Sequence, residues 1–311
     1  MPMHRRDFLK HGAGALASPL IATALPSAAL GALVQTDPPA RIGIATWSFR
    51  HLMAAGRNEK MPPPERAVMT ALDAPKFVRE ELGLRQLEII INHLDERTVA
   101  YAERVRAAAN AVGVQFINFQ LGGEMSAQDP AVRAKSIDDI KEGMRIAAAL
   151  GSPTVRADVG GKQGEPLDLA VTADSYKQLV EFGSTIGVMP MPENHGGHST
   201  DPDTLVSIMR AIDPRIRAIV DWGNFRVETQ AQRVEFTRTL LPYTGLVSAK
   251  FDRFDADYRL SYDVAELVRL VEASGYKGKY SIEITNNPPD IVRAARAATE
   301  TIRANLAGST R

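Results

Sequence analysis

The sequence predicts an α/β chain closed into a single (β/α)8 TIM barrel, and three observations carry that expectation. Short apolar runs alternate with longer stretches of helical period from residue 40 onward. The runs start about 25 to 45 residues apart, the length of a strand plus its crossover helix. Eight such units in about 270 residues match one closed barrel. A doubly wound open sheet shares the alternation, and pattern alone does not demonstrate closure.

Taken in order, the chain enters the barrel, expected over 40–306, after Pro38-Pro39. Strands are expected at 41–48, 86–91, 115–120, 154–157, 187–192, 218–220, 245–250 and 280–284. Helical patterns lie at 96–112, 131–150, 175–186, 202–212, 230–241 and 264–274. Turn signals separate several of them: Gly113 before the third strand, Gly151-Ser152-Pro153 before the fourth, Gly275 and Gly278 before the eighth. No repeat in residue identity at a period of 20 to 50 is visible, which argues against a solenoid.

The chain is 44% hydrophobic and 24% charged, an ordinary globular composition. Lys plus Arg and Asp plus Glu number 37 each, so no global field draws it to nucleic acid or an anionic membrane, and a small-molecule partner fits better. With no cysteine, disulfides, thiolate–metal bonds and a lipoprotein anchor are excluded, and any metal must sit on oxygen and imidazole.

Residues 1–33 read as an address. Arg5, Arg6, Phe8, Leu9 and Lys10, followed by an apolar small-residue run over 12–33, resemble a twin-arginine export signal, with His4 where Ser or Thr is usual. Gly, Pro and Ser interrupt the run, which disfavours a lasting membrane anchor. The resemblance implies recognition by the twin-arginine translocation machinery, removal of 1–33, and a periplasmic or secreted protein that folds before transport.

In α/β architectures ligands meet the chain beyond the carboxyl ends of the strands. Those ends carry Trp47 and His51 after strand one, Glu88 and His93 at strand two, and Arg156 and Asp158 at strand four. Strand five runs into Glu193, His195 and His198, strand six into Asp221 and Asn224, strand seven into Lys250, and strand eight into Glu283. Six histidines exist, and the four beyond the address all follow strands one, two or five. Glu193, Asp221 and Glu283 could converge as hard oxygen ligands of a divalent metal such as Mn, Mg, Co or Zn. Buried ion pairs with Lys250 or Arg156 are the alternative.

Four segments carry a resemblance: residues 192–202 with Glu193-Asn194-His195-Gly196-Gly197-His198, then Val220-Asp221-Trp222-Gly223-Asn224-Phe225, then Ser248-Ala249-Lys250-Phe251-Asp252, then 276–283 ending in Glu283. In this order they resemble the strand-end signatures of the xylose isomerase-like sugar phosphate isomerase/epimerase superfamily. The resemblance implies a metal held by Glu, Asp, His and Glu from strands five to eight, the two glutamates doubling as an acid/base pair. Glu193, Asp221 and Glu283 match, but Ser248 stands where the strand-seven His is expected. His195, two residues beyond Glu193, is a candidate for the missing ligand or for a substrate contact, and Asn224 replaces a substrate-contacting His of related epimerases.

The expected activity is a metal-dependent sugar isomerisation or epimerisation through an enediolate, on a free or oxidised carbohydrate. Glu193 and Glu283 would move protons, Asp221 would fix the metal, and Lys250 would stabilise developing negative charge. Glu88, His93, Arg156, His195 and Asn224 would orient the sugar, and Trp47 or Trp222 would stack on it or form its wall. A keto-sugar or keto-glycoside lyase or dehydratase shares the intermediate, and a non-catalytic carbohydrate-binding barrel shares the fold. A nuclease of this barrel type would need more metal-binding histidines and a basic groove.

Overall fold

Period-two alternation sorts each strand's side chains to two sides. On β7 (Thr244–Phe251) Val247, Ala249 and Phe251 join the main apolar core, while Leu246, Ser248 and Lys250 point the other way, into the barrel. On β8 (Lys279–Ile284) Tyr280, Ile282 and Ile284 pack outward, and Lys279, Ser281 and Glu283 line the interior. A small second cluster of Ile117, Met191, Ile219 and Leu246 plugs the interior lower down. On β7 the inward column thus changes from apolar Leu246 to charged Lys250 toward the carboxyl end, while that of β8 is charged at both ends, with Lys279 below and Glu283 above.

The computed structural model describes residues 38–307 apart from 59, 62, 163 and 253–259; the export segment expected at 1–33 lies outside the described residues. The remaining strands are β1 (Ile42–Ala45), β2 (Gln86–Ile90), β3 (Gln115–Gln120), β4 (Thr154–Arg156), β5 (Met189–Met191) and β6 (Ala218–Asp221). All pair in parallel in the order β5-β4-β3-β2-β1-β8-β7-β6. The ring closes between β5 and β6 through one bridge, Glu193 to Ile219, with the Ile219 N–H donating to the Pro192 carbonyl at 2.8 Å. Pro190 and Pro192 have no N–H to donate, which keeps this seam short. The Asn194 side chain reinforces it: its Nδ2 donates to the Asp221 carbonyl at 2.8 Å and its Oδ1 accepts from the Asp221 N–H at 2.7 Å.

A helix follows every strand: α1 (Ala74–Glu80), α2 (Val99–Ala111), α3 (Pro130–Leu150), α4 (Leu169–Ile186), α5 (Pro202–Ile212), α6 (Gln230–Leu240), α7 (Val264–Ala273) and α8 (Ile291–Ala307). Side-chain caps set the starts of α2 to α7; Asp168 accepts from the Val171 N–H, so α4 begins at Leu169, ahead of the expected 175. Gly187 ends α4 at φ 74°, which moves the start of the fifth strand from 187 to Met189. The first strand is also shorter than 41–48, giving way to a 3-10 turn at Thr46–Leu52. There the Ser48 hydroxyl donates to the Ile282 carbonyl (3.1 Å) and accepts from the Ile284 N–H (2.9 Å), standing in for strand backbone beside β8. Helices α1 and α8 lie outside the six expected patterns. α8 buries Ile291, Ala294, Ala295, Ala298, Ile302 and Leu306, a helical stripe.

At the amino end of the barrel Arg41 donates twice to Glu272 (2.9 and 2.7 Å) and to the carbonyls of Gly278 and Tyr276. The Tyr280 hydroxyl donates to the same carboxylate at 2.7 Å. No helix among the described residues is long and apolar enough to cross a membrane.

Candidate active site

At the carboxyl end of β6, Asp221 is fully buried and is met by four donors. Its Oδ1 accepts from the N–H groups of Gly223 (2.8 Å) and Asn224 (2.9 Å). Its Oδ2 faces the Ser248 hydroxyl at 2.8 Å and the Lys250 ammonium at 3.0 Å. Burial opposes its charge, but Lys250 and the hydrogen bonds from Lys250 and Ser248 outweigh it, and its pKa lies below the ordinary range.

Glu283, at the end of β8, shares both partners: Ser248 Oγ lies 3.0 Å and Lys250 Nζ 3.5 Å from its Oε2. Burial pushes its pKa up, with Lys250 working against the rise. Glu193, just beyond β5, meets Arg156 at 3.0 Å and the Asn224 side-chain amide at 3.3 Å. Here burial wins over Arg156 and His195, with Asp221 and Glu283 adding to it, and the pKa rises to about 8. Lys250 and Arg156 are pushed up as well: burial works against their charge, but the carboxylates beside them hold the cationic forms. Arg156 also pairs with Asp158 at 3.2 Å and donates to Gln120 Oε1 at 3.2 Å.

The structure therefore brings Glu193, Asp221 and Glu283 together, with one oxygen from each within 4.8 Å of the others, a spacing that one cation could span. His195 does not join that group. Its Nδ1 meets Asp158 at 3.2 Å, and it forms a separate set with Asp158 and Glu193. The hydrogen bond to Asp158 raises its pKa.

His93 is buried with Nδ1 2.8 Å from the Thr46 hydroxyl, and burial together with Arg50 lowers its pKa to about 4, so it is neutral at ordinary pH. Glu88 is engaged below the site: its carboxylate accepts from Asn118 at 2.6 Å and from Ser281. Trp47 lies half-buried at the rim with the Arg50 guanidinium 4.5 Å over its ring. Trp222 is core, 6.2 Å from Tyr280. His51 pairs with Glu65 at 2.9 Å. Sequence reasoning missed Arg50, which also donates to the Ile284 carbonyl at 3.2 Å; its position three residues after Trp47 at a strand end was the available signal.

A divalent ion does not fit this set as it stands. Two carboxylate oxygens have about four lone-pair directions, and Asp221 has four donors on them. Where a fourth ligand, a histidine, is expected on the seventh strand stands Ser248, whose hydroxyl is already placed between Asp221 and Glu283.

The family model described as xylose isomerase-like TIM barrel matches residues 79–303. No curated protein matches the sequence. Among solved structures the chain is similar to an L-ribulose 3-epimerase (17% identity, TM-score 0.68, covering 87% of this chain and 95% of that one). It is also similar to D-psicose 3-epimerase from Clostridium cellulolyticum H10 (15%, TM-score 0.67, 86% and 99%). A third is 3-keto-D-glucoside 4-epimerase from E. coli (14%, TM-score 0.63, 85% and 99%). At these identities the likeness is one of fold.

Proposed function

This chain belongs to the xylose isomerase-like TIM barrel family, and we propose that it is a sugar isomerase or epimerase working through an enediolate on a free or oxidised sugar. Supporting that chemistry, its structural relatives include epimerases of L-ribulose, D-psicose and a 3-keto-D-glucoside. The Arg5-Arg6 segment supports action outside the cytoplasm.

One observation carries the reading: two buried glutamates, Glu193 and Glu283, reach the same spot from β5 and β8 but sit in unlike surroundings. Glu193 keeps its proton to about pH 8 and is the acid. Glu283 has the Lys250 ammonium 3.5 Å away to support its charged form, and is the base. Glu283 takes the proton from the carbon next to the sugar carbonyl, and the electron pair moves onto the carbonyl oxygen. Lys250 and Arg156 stabilise the negative charge that forms there. Glu193 returns a proton to the opposite face of the same carbon, giving the epimer; delivered to the former carbonyl carbon, with the neighbouring hydroxyl proton passing to the former carbonyl oxygen, it gives the isomer, and composition is unchanged either way.

The test is a screen of free sugars and 3-keto-sugars in D2O with the full chain. Deuterium is expected at a carbon adjacent to the carbonyl. Glu283→Gln is expected to slow its incorporation by about 10³-fold, within the usual worth of a general base, while the circular dichroism of the barrel persists. Incorporation at the wild-type rate in that variant, or none from any substrate with the wild type, rejects the proposal.

A further inference from the structure

We propose that the ammonium group of Lys250 is the resident cation of this site and occupies the role a divalent metal has in a four-ligand carboxylate cage. The effect on rate rests on the function proposed above; the binding chemistry does not. Lys250 is nearly buried, and its ammonium donates to Asn224 Oδ1 at 2.8 Å and forms ion pairs with Asp221 Oδ2 at 3.0 Å and Glu283 Oε2 at 3.5 Å. Asp221 Oδ2, Lys250 Nζ, Glu283 Oε2 and Ser248 Oγ form a closed four-membered ring of contacts. A metal entering between the carboxylates would have to displace Lys250 or Ser248 from Asp221, and would meet the ammonium as a like charge within about 3 to 4 Å.

An independent feature shows that the lysine is built in. A Cβ on Gly223 would lie 2.3 Å from Lys250 Cδ and 2.7 Å from its Cγ, so the stem of the lysine fills the space that a side chain at 223 would take. Gly223 is not among the positive-φ glycines, so its backbone does not demand glycine; the room beside Lys250 does. The lysine's own carbonyl is fixed by a hydrogen bond from the Tyr262 hydroxyl. Ser248 completes the arrangement, because a hydroxyl, unlike an imidazole, is short enough to bridge Asp221 and Glu283 beside the ammonium.

The experiment measures metal content and Mn2+-dependent melting of the full-length protein, with deuterium exchange as a separate readout. After dialysis against EDTA the wild type is expected to hold no stoichiometric divalent ion, to exchange at an unchanged rate, and to melt at the same temperature with or without Mn2+. Lys250→Met leaves three converging carboxylates without their cation, and is expected to gain an Mn2+-dependent rise in melting temperature. The same change should slow exchange by about 10²- to 10³-fold, the range for losing one charge-stabilising donor. If Lys250→Met does not fold, Lys250→Gln removes the charge while keeping a polar head among the carboxylates, and is expected to show the same gain in Mn2+ response. One divalent ion per chain surviving dialysis, exchange lost to EDTA and restored by Mn2+, or a wild-type melting point that rises with Mn2+ overturns the inference. Failure to find any exchanging sugar would reject the proposed function, yet the metal measurements would still decide this point.

Discussion

The two ends of the barrel each bury a cluster of charges, and they are built on opposite principles. Beneath the amino end, one guanidinium meets one carboxylate through two hydrogen bonds, with two tyrosine rings packed around them. At the carboxyl end, among the described residues, the four carboxylates of Asp158, Glu193, Asp221 and Glu283 form their ion pairs with two permanent cations, Arg156 and Lys250. The balanced cluster leaves nothing to exchange with a ligand. The unbalanced one keeps a proton on Glu193 near neutrality, which is the condition for acid/base work.

If the amino-end cluster serves only the fold, Arg41→Met should destabilise the protein more than any substitution at the carboxyl end. It strands Glu272 in a buried site, and a loss of about 3 to 5 kcal/mol is expected by denaturant titration, with exchange per folded molecule unchanged. A drop in turnover of the folded variant would erase the distinction between the two ends.

The carboxyl-end cluster should instead reveal itself through pH. Glu193 has a folded pKa above its unfolded one, so its contribution to stability is complete below about pH 4.5 and is lost as pH rises through about 8. The unfolding free energy should fall across that window by on the order of a few kcal/mol, with a lower melting temperature as its sign, and Glu193→Gln should flatten the fall. Deuterium incorporation should decline above about pH 8 for the same reason, since the acid has lost its proton. A pH-independent rate from about 7 to 9.5 would remove Glu193 from the acid's role. The smallest expected effect belongs to the seam: Asn194→Ala removes two buried hydrogen bonds and should cost about 1 to 3 kcal/mol, with faster amide hydrogen exchange at Asp221.

Much of this architecture is legible in the residues. The alternation in 245–250 and 280–284 puts Ser248, Lys250 and Glu283 on one side of their strands, and eight strand-helix units imply that side is an interior. The three carboxylates and Lys250 follow from that pattern, and so does the choice between a metal and the ion pairs of Glu193 with Arg156 and of Glu283 with Lys250. Which of the two arrangements holds depends on distances between residues from different strands, and no spacing in the chain encodes them. The same limit hid the partners of Glu88, which come from Asn118 and Ser281 on strands β3 and β8. Helix α1 is too short for its period to stand out, and His195 turned toward Asp158 because the Gly196-Gly197 turn sets its loop, at φ 72° and 54°.

Asn194 gives the ring a rivet made from the site's own peptide. Because the residue beside Glu193 grips the backbone of Asp221, the curvature of the wall and the spacing of these two carboxylates are a single mechanical variable. An engineer re-aiming the loop at 195–198 toward another sugar is held at Gly197, where a Cβ would meet the Gly160 and Gly161 carbonyls. Altering the asparagine that precedes the loop would unfasten the architecture along with the chemistry.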